Sequence, residues 1–478
     1  MAGRRSGGRR AIVIVVSLLL VAGAATAGLL FWNQRSKSNS AVSTSTISSV
    51  VPYPTISAVD PPVAAVAAKI KPLPVAAGRV PTVAGVLKIL GPVLANPGMA
   101  RYTGVVVDAA TGKVLWSKDS ATATQPASTM KLLTGAALLT KVDPNSRFTT
   151  RVVQGPHAGD VVFLGGGDVT LSARSAGVTT PYDGAPTVSD LAAQVKAKGY
   201  AVKRILLDTS YWTGSDLADG WDPNDIAAGN ITRMQALMVD GDRKDPATED
   251  SSRTGTPAIT AGKALARALG DPNLPVIVGA AAKNAKLLAS VQSQPMSVLL
   301  SQALLNSDNV LAEALARQVA IALGGAPSFT GASQAIVIAL GDLKLDTIGL
   351  TMVDGSGLSH NDLAPTALLA SVMTLAVTGR VPALRGLLNG LPVAGVSGTL
   401  SRASDRFQTA QSKAGIGWVR AKTGSVDFTY ALVGYVPDVD GRLLVFALNS
   451  NGVISSGPNQ SRPAQDAFAA ALRTCGCS

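Results

Sequence analysis

Ser128 and Lys131 stand three residues apart at the head of a run, Met130 to Leu139, that is mostly leucine and alanine. Residues at that spacing share one face of a helix. The run favours one, with Thr134 as its sole β-branched member and Pro126 just ahead. No other lysine in the chain follows a serine at this spacing. Two readings fit the pair. In one, Ser128 caps a helix and Lys131 is solvated. In the other the lysine is buried, desolvation disfavours its charged form, and the neutral amine takes the serine's proton to make a nucleophile.

The rest of the chain says where such a helix would sit. Of a net charge of +12, Arg4, Arg5, Arg9 and Arg10 supply four. The remaining excess is diffuse, with no basic block interleaved with aromatics, which argues against nucleic-acid binding. After the arginines comes an uncharged apolar run, residues 11–32. It is long enough to span a bilayer, and its flanks favour a cytoplasmic N-terminus. The expectation is a single-pass signal-anchor with the catalytic part outside the cytoplasm. Ala25-Thr26-Ala27 offers a cleavage site that would instead release a secreted form. Residues 33–80, rich in Pro, Ser and Thr, read as a linker. Cys475 and Cys477 are the only cysteines and can close at best a tiny ring, so stability must come from packing.

Folded sequence is expected from a helix at residues 83–94. Strands follow at 102–108 and 112–116, then the Ser128 helix, which ends near Lys141. From 145 to 290 short strands (149–153, 160–164, 203–207) alternate with Gly-, Asp- and Pro-rich loops. Gly165-Gly166-Gly167-Asp168 lacks the Gly-Lys-Ser/Thr of a phosphate loop and reads as a turn. Helical periodicity returns at Pro295, with Leu311, Leu315 and Val319 four residues apart. Further helices fall at 366–377 and 382–388, strands at 419–422, 427–436 and 443–449, and a last helix at 463–473. This pattern predicts an α/β (α+β) chain: one antiparallel sheet closed by both chain ends, a helical subdomain, and an inserted mainly-β domain. The expected division is a basic tail at 1–10, an anchor at 11–32 and a linker at 33–80. One domain is then split between 81–144 and 291–478 around the insert at 145–290.

Two further motifs join the first. Ser307-Asp308-Asn309 precedes the Leu311 helix, and Lys422-Thr423-Gly424, followed by Ser425, ends a strand. Each is weak alone, but their order is a strong joint signal. With Gly165-Gly166-Gly167-Asp168, Ala312-Glu313 and Asp354-Gly355-Ser356-Gly357-Leu358-Ser359, the chain resembles the class C low-molecular-mass penicillin-binding proteins, D-alanyl-D-alanine carboxypeptidases. The resemblance runs from about residue 83 to the C-terminus. It implies the penicillin-binding/serine β-lactamase-like fold, no cofactor and no metal. The implied partners are peptidoglycan stem peptides and β-lactams as covalent inhibitors, with endopeptidase action on cross-links open.

The resemblance implies that Ser128 attacks the D-Ala-D-Ala carbonyl with Lys131 as its base. Ser307 would pass a proton to the leaving amine and Asn309 would hold the substrate amide. Lys422 and Thr423, with Gly424 beside them, would bind the terminal carboxylate. Backbone N–H groups of Ser128 and Ser425 would receive the oxyanion. The family's arginine after Gly-Leu-Ser is here His360, which leaves recognition of the substrate side chain beside Leu358 and His360 open. Trp221 and Asp225 of the insert are expected to line the same pocket. A β-lactamase would need a deacylating base, and the only glutamates are Glu249, in a polar loop, and Glu313, placed for an i,i+4 pair with Arg317. A non-catalytic scaffold of the same fold would tolerate broken motifs, and all three are intact. His157 and His360 are too few for usual zinc spacing.

Overall fold

Strands from the early and late parts of the described residues meet in one antiparallel sheet. The computed structural model describes residues 78–175, 177–452 and 458–476. The tail, the expected anchor, nearly all of the linker and Cys477 lie outside those residues. The described residues all belong to one unit beginning at Leu73.

The sheet uses strands β1 (Arg101–Asp108), β2 (Val114–Lys118), β10 (Arg420–Val426), β11 (Thr429–Pro437) and β12 (Leu443–Asn451), in the order β10-β11-β12-β1-β2. Strand β1 pairs with β12 from Arg101↔Asn451 to Asp108↔Leu444. Side chains alternate between faces along a strand, so the sheet can be covered on both sides. Val106, Phe446 and Leu448 pack with helices α1 (Val83–Leu94) and α9 (Pro458–Arg473). Val105, Val107, Val445 and Ala447 face the helical core.

That core is built around α2 (Lys131–Lys141), in which every residue from Lys131 to Leu139 is buried. A helix apolar all round belongs inside a protein. Its first residue is nevertheless a lysine.

A second sheet is formed by β4 (Thr149–Gln154), β5 (Asp160–Leu164), β6 (Arg204–Asp208), β7 (Val276–Val278) and β8 (Leu287–Gln292), in the order β7-β6-β5-β4-β8. The strands expected there are present, and the sheet is mixed: β5-β6 and β6-β7 are parallel. Parallel neighbours need crossovers, and these carry α3 (Val188–Ala197) and α4 (Pro257–Leu269), helices that the sequence reading passed over. Gly166 sits so close to Thr149 that a Cβ would lie 1.9 Å from its carbonyl oxygen, which accounts for the glycine turn.

Helices α5 (Met296–Leu305), α6 (Asn309–Ala322), α7 (Phe329–Asp342) and α8 (Thr366–Thr378) complete the core, and the short strands β3 (Ala123–Thr124) and β9 (Ala364–Pro365) pair with each other. Helix α7 was also passed over. Phe148, Tyr182, Trp212 and Trp221, all from the 145–290 stretch and its edge, pack into this same core. Cys475 is buried and disulfide-bonded.

Candidate active site

The segment before α2 is a short 3-10 turn, Ala127–Met130, entered through Ala127 at φ 48°. A left-handed alanine costs on the order of 1 kcal/mol, so neighbours must hold it. Two glycines from distant segments do so. A Cβ on Gly357 would lie 2.0 Å from the Ala127 carbonyl oxygen, and one on Gly424 2.8 Å from that of Pro126. The glycine of Lys422-Thr423-Gly424 is therefore explained by the close approach of β10 to the backbone that carries Ser128.

Lys131 Nζ lies 2.8 Å from Ser128 Oγ, 2.6 Å from Asn309 Oδ1 and 2.7 Å from the carbonyl oxygen of Ser356. Two of these are carbonyl oxygens, which only accept. A neutral amine has two N–H bonds, and the two carbonyls use both. Its lone pair is then left facing the Ser128 hydroxyl. The lysine is 2 % exposed. Burial lowers its pKa to about 8, against the opposing pull of Asp354, Asp308, Glu313 and Asp362.

Across the cleft, Lys422 is fully buried on β10, and its Nζ donates to Ser307 Oγ (2.8 Å) and to the carbonyl oxygen of Thr423 (2.9 Å). Both partners are neutral. Burial, reinforced by the charge of Lys131, pushes this amine well below its ordinary pKa. The Thr423 hydroxyl pairs with that of Thr399 at 2.7 Å. Ser128, Lys131, Ser307, Asn309 and Lys422 thus converge, although they come from a 3-10 turn, a helix start, a loop and a strand.

The hollow in front of Ser128 holds about 610 Å3 and is lined by Asp225, Ser307, Asn309, Leu358, His360 and Ser425, among others. It continues past Gly424, Thr423 and Thr399 towards Arg462. His360 is an exposed loop residue, with Nδ1 3.4 Å from Gln125 Nε2.

Trp221 departs from expectation. Its ring is buried against Phe329, its Nε1 donates to Asp354 Oδ2 at 2.6 Å, and it is not among the residues that line the hollow in front of Ser128. A buried indole N–H needs an acceptor, and this one finds it beneath the site.

Asp354 opens the Asp354-Gly355-Ser356-Gly357-Leu358-Ser359 motif, and the sequence alone assigns it no role. Its buried carboxylate accepts from the backbone N–H groups of Ser356 (2.8 Å), Gly357 (2.5 Å) and Ser359 (2.8 Å) as well as from Trp221. It folds the loop whose Ser356 carbonyl holds Lys131. Beneath the loop Glu313 accepts from Gly355 N (2.7 Å) and pairs with Arg317 at 3.1 Å, the i,i+4 pair anticipated. Burial raises Glu313 to about 7. With both oxygens engaged below the loop, it is not placed as a deacylating base.

A profile of the D-Ala-D-Ala carboxypeptidase 3 (S13) family matches residues 87–262 and 247–474. The chain is 45 % identical over 399 residues to Carboxypeptidase DacB of Mycolicibacterium smegmatis, covering 83 % of this chain and 85 % of that one. It is 42 % identical over 401 residues to Carboxypeptidase Rv3627c of Mycobacterium tuberculosis, covering 83 % and 86 %. Its fold is similar to the crystal structure of penicillin binding protein 4 from Haemophilus influenzae, with a TM-score of 0.66 and 20 % identity. That match covers 82 % of this chain and 98 % of the other.

Proposed function

This chain belongs to the D-Ala-D-Ala carboxypeptidase 3 (S13) family, and on that premise we propose how its residues carry out the serine carboxypeptidase reaction. Neutral Lys131 takes the proton of Ser128, and Oγ attacks the carbonyl between the two D-alanines. Backbone N–H groups of Ser128 and Ser425 receive the developing oxyanion. The terminal carboxylate meets Lys422 and Thr423. Ser307, in contact with Lys422, relays the proton held on Lys131 to the departing amine, which returns Lys131 to its neutral form, and D-alanine leaves. Water then attacks the acyl-Ser128 ester, with Lys131 again accepting its proton and passing it to Ser128 Oγ as the ester bond breaks and the shortened peptide leaves.

The observation that carries this reading is the coordination of Lys131 Nζ by two carbonyl oxygens, with Ser128 Oγ as its third neighbour. That arrangement gives a neutral amine an acceptor for each of its two N–H groups and turns its lone pair towards the Ser128 hydroxyl.

The substrates are peptidoglycan stem peptides, and β-lactams acylate the same serine. The continuation of the cleft beyond Thr423 supports a second, endopeptidase action on cross-links. Residues 11–32 anchor the chain with its catalytic part outside the cytoplasm, a reading supported by their apolar length and the arginines before them. Release of D-alanine from a peptide ending in D-Ala-D-Ala tests the residue assignment. Turnover by the wild type and none by Ser128→Ala is expected; turnover surviving in Ser128→Ala would overturn it.

A further inference from the structure

Ser307 takes φ 59°, a left-handed conformation for a residue with a side chain. It therefore needs to be held by what flanks it. Asp308, the next residue, has both oxygens committed. Oδ1 caps α6 by accepting from Leu311 N at 2.8 Å. Oδ2 accepts from the hydroxyl of Tyr182 at 2.9 Å and from Arg243 Nη2 at 3.1 Å.

Arg243 is itself fixed. It donates from Nη1 to the Tyr182 hydroxyl (3.0 Å) and to the Asp240 carbonyl (3.1 Å), and from Nε to the Glu249 carbonyl (3.1 Å). Both side chains of the Arg243–Asp308 pair are only 6 % exposed. One residue beyond Asp308, Asn309 Nδ2 donates to the backbone carbonyl of Asn230 at 3.0 Å. That contact settles the amide's orientation. With Nδ2 turned to Asn230, Oδ1 must face Lys131; a flipped amide would set N–H groups against the amine.

An ordinary buried ion pair joining two parts of a fold could stand anywhere. Here contacts from three separate loops of the 145–290 stretch converge on the two residues that follow Ser307. We propose that these loops are part of the catalytic apparatus, a clamp in which Arg243, Tyr182 and the Asn230 carbonyl position Ser307 and Asn309. Tyr182 and Arg243 are then positioning residues, acting through Asp308. This rests on the roles given above to Ser128, Lys131 and Ser307.

The test uses Tyr182→Phe, Arg243→Gln and their double variant. The readouts are the maximal rate of acylation by benzylpenicillin, the concentration giving half that rate, and Tm. Tyr182→Phe keeps the ring and removes one hydrogen bond to a carboxylate, so the maximal rate should fall about tenfold with the half-saturating concentration unchanged. Arg243→Gln should lose about a hundredfold, from a bond to the carboxylate and another to Tyr182. Because both act through Asp308, the double variant should be little worse than Arg243→Gln alone. If Arg243→Gln does not fold, Tyr182→Phe decides alone. Wild-type acylation rates in folded Tyr182→Phe, or losses that multiply in the double variant, would overturn the clamp. A wild type that fails to acylate on Ser128 would instead sink the catalytic reading beneath it.

Discussion

Lys131 Nζ lies 2.6 Å from Asn309 Oδ1, a contact between residues 178 positions apart. It brings the head of α2 to the head of α6, and it makes the protonation of Lys131 depend on the chemistry of position 309.

With a pKa of about 8, Lys131 is charged, and inactive as a base, at lower pH. In the wild type kcat/KM should therefore rise about tenfold per pH unit up to about pH 8 and then level, since that ratio reports the free enzyme. Asn309→Asp sets a carboxylate against the amine and favours its charged form. The rising limb should move to higher pH by about 1–3 units. Profiles of the two proteins on one D-Ala-D-Ala peptide check this; a shift to lower pH, or none, would contradict it.

Asp354 orders a loop without touching the cleft. Asp354→Asn replaces one acceptor oxygen by an N–H2 that faces donors, so two hydrogen bonds to a charge are lost. Stability should fall by about 3–5 kcal/mol, read from urea unfolding. Trp221→Phe keeps most of the ring and leaves one carboxylate bond unfilled. It should cost about 1–2 kcal/mol and leave KM unchanged. A raised KM in that variant would return Trp221 to the substrate pocket.

Among the described residues Lys422 has neutral hydrogen-bond partners, Ser307 and the Thr423 carbonyl, and burial depresses its pKa. A bound C-terminal carboxylate favours its charged form, so the complex should take up as much as about one proton. Calorimetry of a D-Ala-D-Ala peptide binding to Ser128→Ala, in buffers of different ionisation enthalpy, measures the uptake. The same peptide with an amidated C-terminus should bind more weakly and without uptake. Equal uptake by the two peptides would count against Lys422 as the carboxylate site.

Much of this was legible before any coordinates. Period-2 and period-3.6 patterns marked the strands and helices of the terminal sheet and its cover, because those elements bury one clear face. Helix α3 carried its signal too: Thr187 caps it, and Val188, Leu191, Ala192 and Val195 recur at helical spacing. It was passed over because glycine- and aspartate-rich loops on either side dominate the composition.

The motif residues were legible because each chemistry needs one residue type at one spacing. Their support was not. Tyr182, Asn230 and Arg243 act across separations of 126, 79 and 65 residues, and nothing local in the sequence announces such contacts. Trp221 was misplaced for the same reason: its sequence position is near the cleft, while the direction of its ring is set by Asp354, 133 residues away.

The central claim is that one hydroxyl, activated by one amine, carries the covalent intermediate. Intact-mass and peptide mass spectrometry of the protein after benzylpenicillin treatment tests it most directly. The account predicts a single penicilloyl adduct, on the peptide containing Ser128, absent from folded Ser128→Ala. An adduct on another residue, or an unmodified folded wild type, would contradict it.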